Sequence, residues 1–250
     1  MDPTRVAEAA SLLVAARQQQ SRIGPLPTQC RPQIVADAHA IQDAITARLG
    51  AEVGAFKANA PAGGEPVRAP IYAPAIRRSP ARISQAEMGQ GGVEGEVAFR
   101  FRRDLPSRPT PYTREEIAAC VDACAAIEIV SSRFADPDTP MLDKLADSIS
   151  NQGFVSGELT ADWQSLDLAT LRVVLEVNGE AVLEQSGGHP TNDPLGVAVA
   201  LVELLRPAGG VKAGQFVTCG SYTGLRYLKP GEVCCVRFDG LGSAEVSFAA

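Results

Sequence analysis

Two carboxylates, Glu94 and Glu96, stand two residues apart in the run Gly92-Val93-Glu94-Gly95-Glu96-Val97-Ala98-Phe99. On an extended strand, side chains at i and i+2 leave from the same face, so the pair points into one space. A third acid, Glu128, sits inside the apolar run Ala126-Ile127-Glu128-Ile129-Val130, where an unpaired carboxylate is costly or is driven to its neutral form. Something must compensate these charges. A divalent cation does so, and an all-carboxylate donor set suits Mg2+ or Mn2+ rather than zinc, with water and a chelating substrate completing an octahedron. The same residues also fit a solvated sheet face with Glu128 at a strand edge beside an arginine, and the pattern alone leaves both readings open.

Other chemistries find less support. The cysteines at 30, 120, 124, 219, 234 and 235 form no CxxC pair and no His/Cys ligand spacing, which argues for buried thiols over zinc or disulfides. Only His39 and His189 are available as a base for a nucleophile. With 29 acidic against 23 basic residues, a net charge of −6 and no long Lys/Arg run, no nucleic-acid partner is expected. No apolar run approaches the ~20 residues that span a bilayer. Asp2, Arg5, Glu8 and Arg17 interrupt the N-terminus, unlike a signal peptide, so the expectation is a cytoplasmic protein without a membrane partner.

The elements that must position these acids are partly readable. Val6, Ala9, Leu12, Leu13 and Ala16 recur at helical spacing between Pro3 and about Gln20, and Ile34, Ala38, Ile41 and Ile45 do so between about Pro32 and Leu49, closed by Gly50. These helices read as a cap or an oligomer contact. Residues 51–90, dense in proline and glycine, read as loop with short strands. From Gly91-Gly92 the pattern turns β, through Val93, Val97, Phe99 and Phe101. Thr113 with Glu116 forms a capping box for a helix of about Arg114 to Cys124, running into the Ala126–Val130 strand. Asn178-Gly179 marks a hairpin, Asp193-Pro194 caps an apolar helix through Leu205, and strands follow near Phe216–Cys219, Glu232–Phe238 and Ala244–Phe248. The class is α+β, with an N-terminal helical segment, 1–50, and a larger domain, 51–250; no G-x-G-x-x-G indicates a nucleotide-binding unit.

Several motifs in order point further: Gly54-Ala55-Phe56-Lys57, Glu94-x-Glu96-Val97-Ala98-Phe99, Ala126-Ile127-Glu128-Ile129-Val130-x-Ser132-Arg133, Leu145-Ala146-Asp147-x-x-Ser150, Gly153-Phe154-Val155, Val177-Asn178-Gly179-Glu180, Pro194-Leu195 and Gly220-Ser221-x-Thr223-Gly224. From about residue 33 to the C-terminus the chain resembles the 2-keto-4-pentenoate hydratase and 4-oxalocrotonate decarboxylase group of the fumarylacetoacetate hydrolase superfamily. The resemblance implies a mixed β-roll core with helices and a site for Mg2+ or Mn2+ at Glu94, Glu96 and Glu128. It also implies a small-molecule 2-oxo or 2-hydroxydienoate substrate, as in meta-cleavage catabolism of aromatic compounds. Lys57 would neutralise the substrate carboxylate or move a proton. Asp147 and Ser150 would hold substrate or a water, and Ser221 and Thr223, in a glycine-flanked turn, would grip a carboxylate. Homo-oligomers, and a complex with a pathway partner enzyme, are also expected.

The chain departs from its relatives in places. Lys57 is followed by Ala58-Asn59-Ala60-Pro61 rather than by glycine and a hydroxyl residue, Ser148 stands where asparagine is common, and Pro66-Val67-Arg68-Ala69-Pro70 replaces a Pro-Asp-Phe-Gly segment. Without that aspartate hydration loses a proton carrier, while Arg68 offers a fork for a second substrate carboxylate, as in an oxalocrotonate-like ligand. Hydration of a dienoate is the first expectation and decarboxylation of a 2-oxo-3-enedioate the alternative. C–C hydrolysis, which needs a placed histidine, and a non-catalytic subunit rank below them.

Overall fold

A computed structural model describes residues 1–250. Helix α1 (Pro3–Gln18) is capped by Asp2, whose carboxylate accepts the Thr4 and Arg5 N–H groups at 3.0 and 3.1 Å, an anion where the helix presents unpaired donors. Helix α2 (Val35–Leu49) stops at Gly50, which takes a φ of 57°. Ala9, Ala10 and Leu13 of α1 pack with Ala38 and Ile41 of α2 and with Tyr72, Phe134 and Leu145. The N-terminal helices thus share a core with later chain.

Residues 51–90 are more regular than their composition indicates. They form β1 (Val53–Asn59), β2 (Val67–Tyr72), β3 (Ile76–Arg78), β4 (Ala81–Ile83) and a single-turn α3 (Gln85–Met88). Pro61, Gly63 and Gly64 fall in the turn between β1 and β2, and Pro70 lies on β2, an edge strand with a free side, where its missing N–H breaks no ladder.

Strand β5 (Gly92–Phe101) follows, then α4 (Arg114–Ala118) and β6 (Val121–Val130). The expected helix to Cys124 is corrected here. Its capping box forms, with Glu116 N–H on the Thr113 hydroxyl at 3.2 Å, but Val121, Ala123, Ala125, Ile127 and Ile129 alternate at period two and belong to β6. The remaining elements are α5 (Met141–Ala146), β7 (Asn151–Ser156), β8 (Arg172–Val177), β9 (Glu180–Ser186), α6 (Pro194–Leu205), β10 (Phe216–Ser221), β11 (Arg226–Tyr227), β12 (Val233–Phe238) and β13 (Gly242–Phe248). Asn178 and Gly179, with φ of 52° and 82°, join β8 to β9 in the expected two-residue turn.

The fold is α+β with two mixed sheets. The larger runs β2-β1-β10-β5-β6-β7-β3 with β11 added on β5, and the smaller runs β4-β13-β12-β8-β9. The larger sheet curls until β2 approaches β7. On its outer face Val93, Val97, Phe99, Ala125 and Ile127 pack against Leu175, Val236, Ala244 and Val246 of the smaller sheet, forming the main core. Inside the curl, Ala55, Ile71, Ala98, Cys124, Ala126 and Phe154 form a small apolar floor. No helix is long and apolar enough to cross a membrane.

Candidate metal centre

Above that floor the alternation of β5 and β6 brings the acids together. Glu94 lies directly across the ladder from Glu128, and Glu96 is opposite Ala126. One oxygen from each of Glu94, Glu96 and Glu128 falls within 4.8 Å of the others. Glu96 and Glu128 have no solvent exposure, whereas the Glu94 side chain keeps 17% and that of Lys57 14%. Lys57 arrives on β1, whose parallel pairing sets it beside Thr218 of β10. Its Nζ lies 2.9 Å from Glu128 Oε2 and 3.3 Å from Glu94 Oε2.

Neighbouring groups fix the two buried carboxylates. Glu128 Oε1 accepts the Asn151 side-chain N–H at 3.0 Å. Glu96 Oε2 accepts the Gly220 N–H at 2.8 Å and the Thr218 hydroxyl. Glu96 Oε1 is buried without any partner. The β5 backbone is clamped as well: Gly95 N–H donates to the Thr223 hydroxyl at 2.8 Å, and a Cβ at residue 95 would come within 3 Å of Val236 and Thr223, so only glycine fits between the two acids.

Three carboxylates against one ammonium leave two negative charges uncompensated when all are ionised. Burial, then the charge of Glu128, pushes the Glu96 carboxyl well above the ordinary range. Burial raises Glu128 too, against the opposing pull of Lys57. For Lys57 burial works against the charge, yet Glu128, Glu94 and Glu96 outweigh it and raise its pKa. The cluster is short of positive charge, and the free Glu96 oxygen and all-oxygen donor set fit a hard divalent cation.

The other expected site residues lie less directly on the cluster. Asp147, expected to hold substrate or a water, has both its oxygens engaged by Arg133, Oδ1 by Nε at 2.5 Å and Oδ2 by the backbone N–H at 2.9 Å. Arg133 also donates to the carbonyls of Asp147 and Asn151 at 2.8 and 3.0 Å. Between them Ser148, Ile149 and Ser150 hold φ of 55°, 50° and 60°, a left-handed turn that costs non-glycine residues on the order of 1 kcal/mol or more each. The Arg133–Asp147 clamp therefore secures the turn that delivers Asn151 to Glu128. Ser150 is half-buried, and its carbonyl accepts the Ser131 N–H at 2.8 Å.

Ser221 lies across the ladder from Glu96, and its hydroxyl accepts the Thr223 N–H at 3.3 Å. Thr223 is engaged by the protein, accepting from Gly95 and donating to the Gly224 carbonyl at 3.1 Å. Arg68, expected to meet a second substrate carboxylate, is paired within the fold. It occupies the register position before Ala69, the partner of Lys57, and its guanidinium holds the Asp43 carboxylate of α2 at 2.8 and 3.0 Å. Its backbone N–H donates to His39 Nε2 at 3.2 Å. His189 is buried with Nε2 2.7 Å from the Cys219 carbonyl oxygen, so both histidines are engaged by backbone groups. Thr218, Gly220 and Asn151 are the functional neighbours that sequence patterning misses.

Residues 46–249 match the family of the fumarylacetoacetate (FAA) hydrolase C-terminal domain. The chain is 29% identical to 2-keto-4-pentenoate hydratase of Paraburkholderia xenovorans, over 99% of this chain and 96% of that protein. It is 31% identical to 4-oxalocrotonate decarboxylase of Pseudomonas putida over 62% of this chain and 59% of that one. Its fold is similar to that of 4-oxalocrotonate decarboxylase from Pseudomonas putida G7 complexed with magnesium and adipate, with a TM-score of 0.84 at 21% identity over 99% and 98% of the two chains.

Proposed function

The chain belongs to the fumarylacetoacetate hydrolase family, and on that premise we propose that it is a divalent-metal-dependent lyase, a hydratase that adds water to a 2-hydroxy-2,4-dienoate to give a 4-hydroxy-2-oxo acid. The observation that carries this reading is the converging trio of half-buried Glu94 and fully buried Glu96 and Glu128, with the unpartnered oxygen of Glu96. Likeness to a hydratase along nearly the whole chain supports the reaction, and the magnesium complex of the similar fold supports the cation class.

Glu94, Glu96 and Glu128 would hold Mg2+ or Mn2+, which supplies Lewis-acid stabilisation of the enolate of a 2-oxo acid. The chain's own residues do the rest. Thr218 and Gly220 fix one oxygen of Glu96 and leave the other free. Asn151 fixes one oxygen of Glu128 and leaves the second to Lys57. Lys57 and Glu94 are the partly exposed members, so substrate enters from their side. The Lys57 ammonium would meet the substrate carboxylate there and hold a proton for transfer. Ser221, across the ladder from Glu96, and Ser150, next in the chain to Asn151 and half-buried, would complete the grip on the substrate.

Decarboxylation of a 2-oxo-3-enedioate is the second reading, supported by the 31% identity to a decarboxylase. Arg68 is paired with Asp43, and a substrate with a second carboxylate would have to compete with that partly exposed ion pair. Ultraviolet absorbance of freshly generated 2-hydroxypenta-2,4-dienoate distinguishes the two. Metal-stripped protein should leave the signal unchanged, and added Mg2+ or Mn2+ should bleach it with 4-hydroxy-2-oxopentanoate as product. Metal-dependent release of CO2 from 2-oxohex-3-enedioate, with the dienoate untouched, would overturn the hydratase in favour of the decarboxylase.

A further inference from the structure

Away from the trio, a polar cavity of about 280 Å3 opens between the end of α1, α3 and the Ser131–Arg133 segment after β6. Arg17, Arg22 and Arg133 line it and no acidic residue does. Their charges are not equally met. Arg133 is neutralised by Asp147. Arg22 donates only to the uncharged carbonyls of Phe134 and Ala135, at 2.8 to 3.0 Å. Arg17 has its guanidinium carbon over the Tyr72 ring, 5.5 Å from its centroid, and its N–H donors make no hydrogen bond or ion pair with the protein.

Arg17 also borders a second cavity of about 250 Å3, where the one acid, Glu87, is held by Arg77 at 2.8 Å. Burial and the charge of Arg133 lower the Arg17 pKa to about 10, which still leaves it charged at neutral pH. Two guanidinium charges, those of Arg17 and Arg22, therefore face one pocket in a chain whose net charge is −6. A concave patch of one sign concentrates counter-ions, and an unused guanidinium fork, here that of Arg17, binds carboxylate or phosphate oxygens in pairs, while Arg22, its Nε and Nη2 taken by carbonyls, adds charge and its Nη1.

We propose that this cavity is an oxyanion-binding site, separate from the carboxylate trio, that takes a small carboxylate or phosphate on Arg17 and Arg22. None of Glu94, Glu96, Glu128 or Lys57 lines it, so its ligand needs no metal. Ser21 and Gln85 at its wall supply further donors.

The test uses the full chain stripped of metal, which separates this site from any chelate at the trio. Inorganic phosphate is titrated in one arm and succinate in the other, by calorimetry and thermal shift at constant ionic strength, with chloride as control. Saturable binding in at least one arm is expected, and the arm that binds identifies the source. Arg17→Gln and Arg22→Gln should each weaken it about tenfold or more, while Glu96→Gln should leave it unchanged. Arg17→Lys, which keeps the charge and loses the fork, covers the case in which the glutamine variant fails to fold and should also bind more weakly. No saturation above the chloride control in either arm at millimolar concentration, undiminished binding in the arginine variants, or loss of binding in Glu96→Gln would each overturn the proposal.

Discussion

The two faces of β5 and β6 differ in everything except their backbone. On the outer face Val93, Val97, Phe99, Ala125 and Ile127 are packed dry against the smaller sheet. On the inner face, one residue out of phase, Glu94, Glu96 and Glu128 crowd together. A period of two lets one ladder hold stability on one side and chemistry on the other. The outer face stabilises by removing apolar surface from water, whereas the inner face holds like charges that repel and is carried by the rest of the fold.

The strongest way to break this contrast is Glu96→Gln. Turnover should fall by about 10^3, the loss of several kcal/mol of charge stabilisation, while the urea midpoint holds or rises because a buried repelling charge is gone. Initial rates and urea unfolding on one preparation check both, and a collapse in stability would show that the faces are not separable. The converse is Ile127→Ala on the outer face. Its side chain is fully buried, so about 2–5 kcal/mol of stability should go, with the rate per folded molecule unchanged. A lower rate at equal folded fraction would contradict the division of labour.

Asn151→Ala probes the link between the clamp and the charged face. Removing the donor to Glu128 Oε1 should weaken divalent-cation affinity about 10–100-fold, read from a metal titration, with a much smaller change in the urea midpoint. Unaltered affinity would make Asn151 a structural residue only. The smallest effect is expected at His39, outside both faces. Burial and then the Arg68 charge lower its pKa from 6.5 to about 4, so as pH falls the unfolded chain takes the proton first. Its stabilising contribution is complete above about pH 6.5 and is lost as pH falls towards about 4. His39→Gln should therefore flatten the drop in urea midpoint between about pH 7 and pH 5, and an identical slope in the variant would refute this.

How much of this is legible in the chain follows from the range of the interactions. Glu94, Glu96, Glu128 and Lys57 stand out because charge interrupts apolar or strand-like runs, and α1, α2, α6 and the β8–β9 hairpin carry local caps and turn residues. Residues 51–90 are harder, since proline and glycine signal turns without saying that Pro70 falls on an edge strand and leaves β1 intact between β2 and β10. The partners of the acids are harder still. Thr218 meets Glu96 across 122 residues and Asn151 meets Glu128 across 23, contacts set by strand register, which no local period reports. Arg68 is a further case, since its partner Asp43, 25 residues away, is not marked by any local pattern.

The most direct test of the metal centre is calorimetric titration of Mn2+ into metal-free protein, alongside Glu96→Gln and Glu128→Gln. One ion should bind per wild-type chain, with binding lost or severely weakened in both variants while their circular dichroism remains that of the wild type. Absence of binding to the wild type, or wild-type affinity in both variants, would contradict the assignment of Glu94, Glu96 and Glu128 as a divalent-cation site.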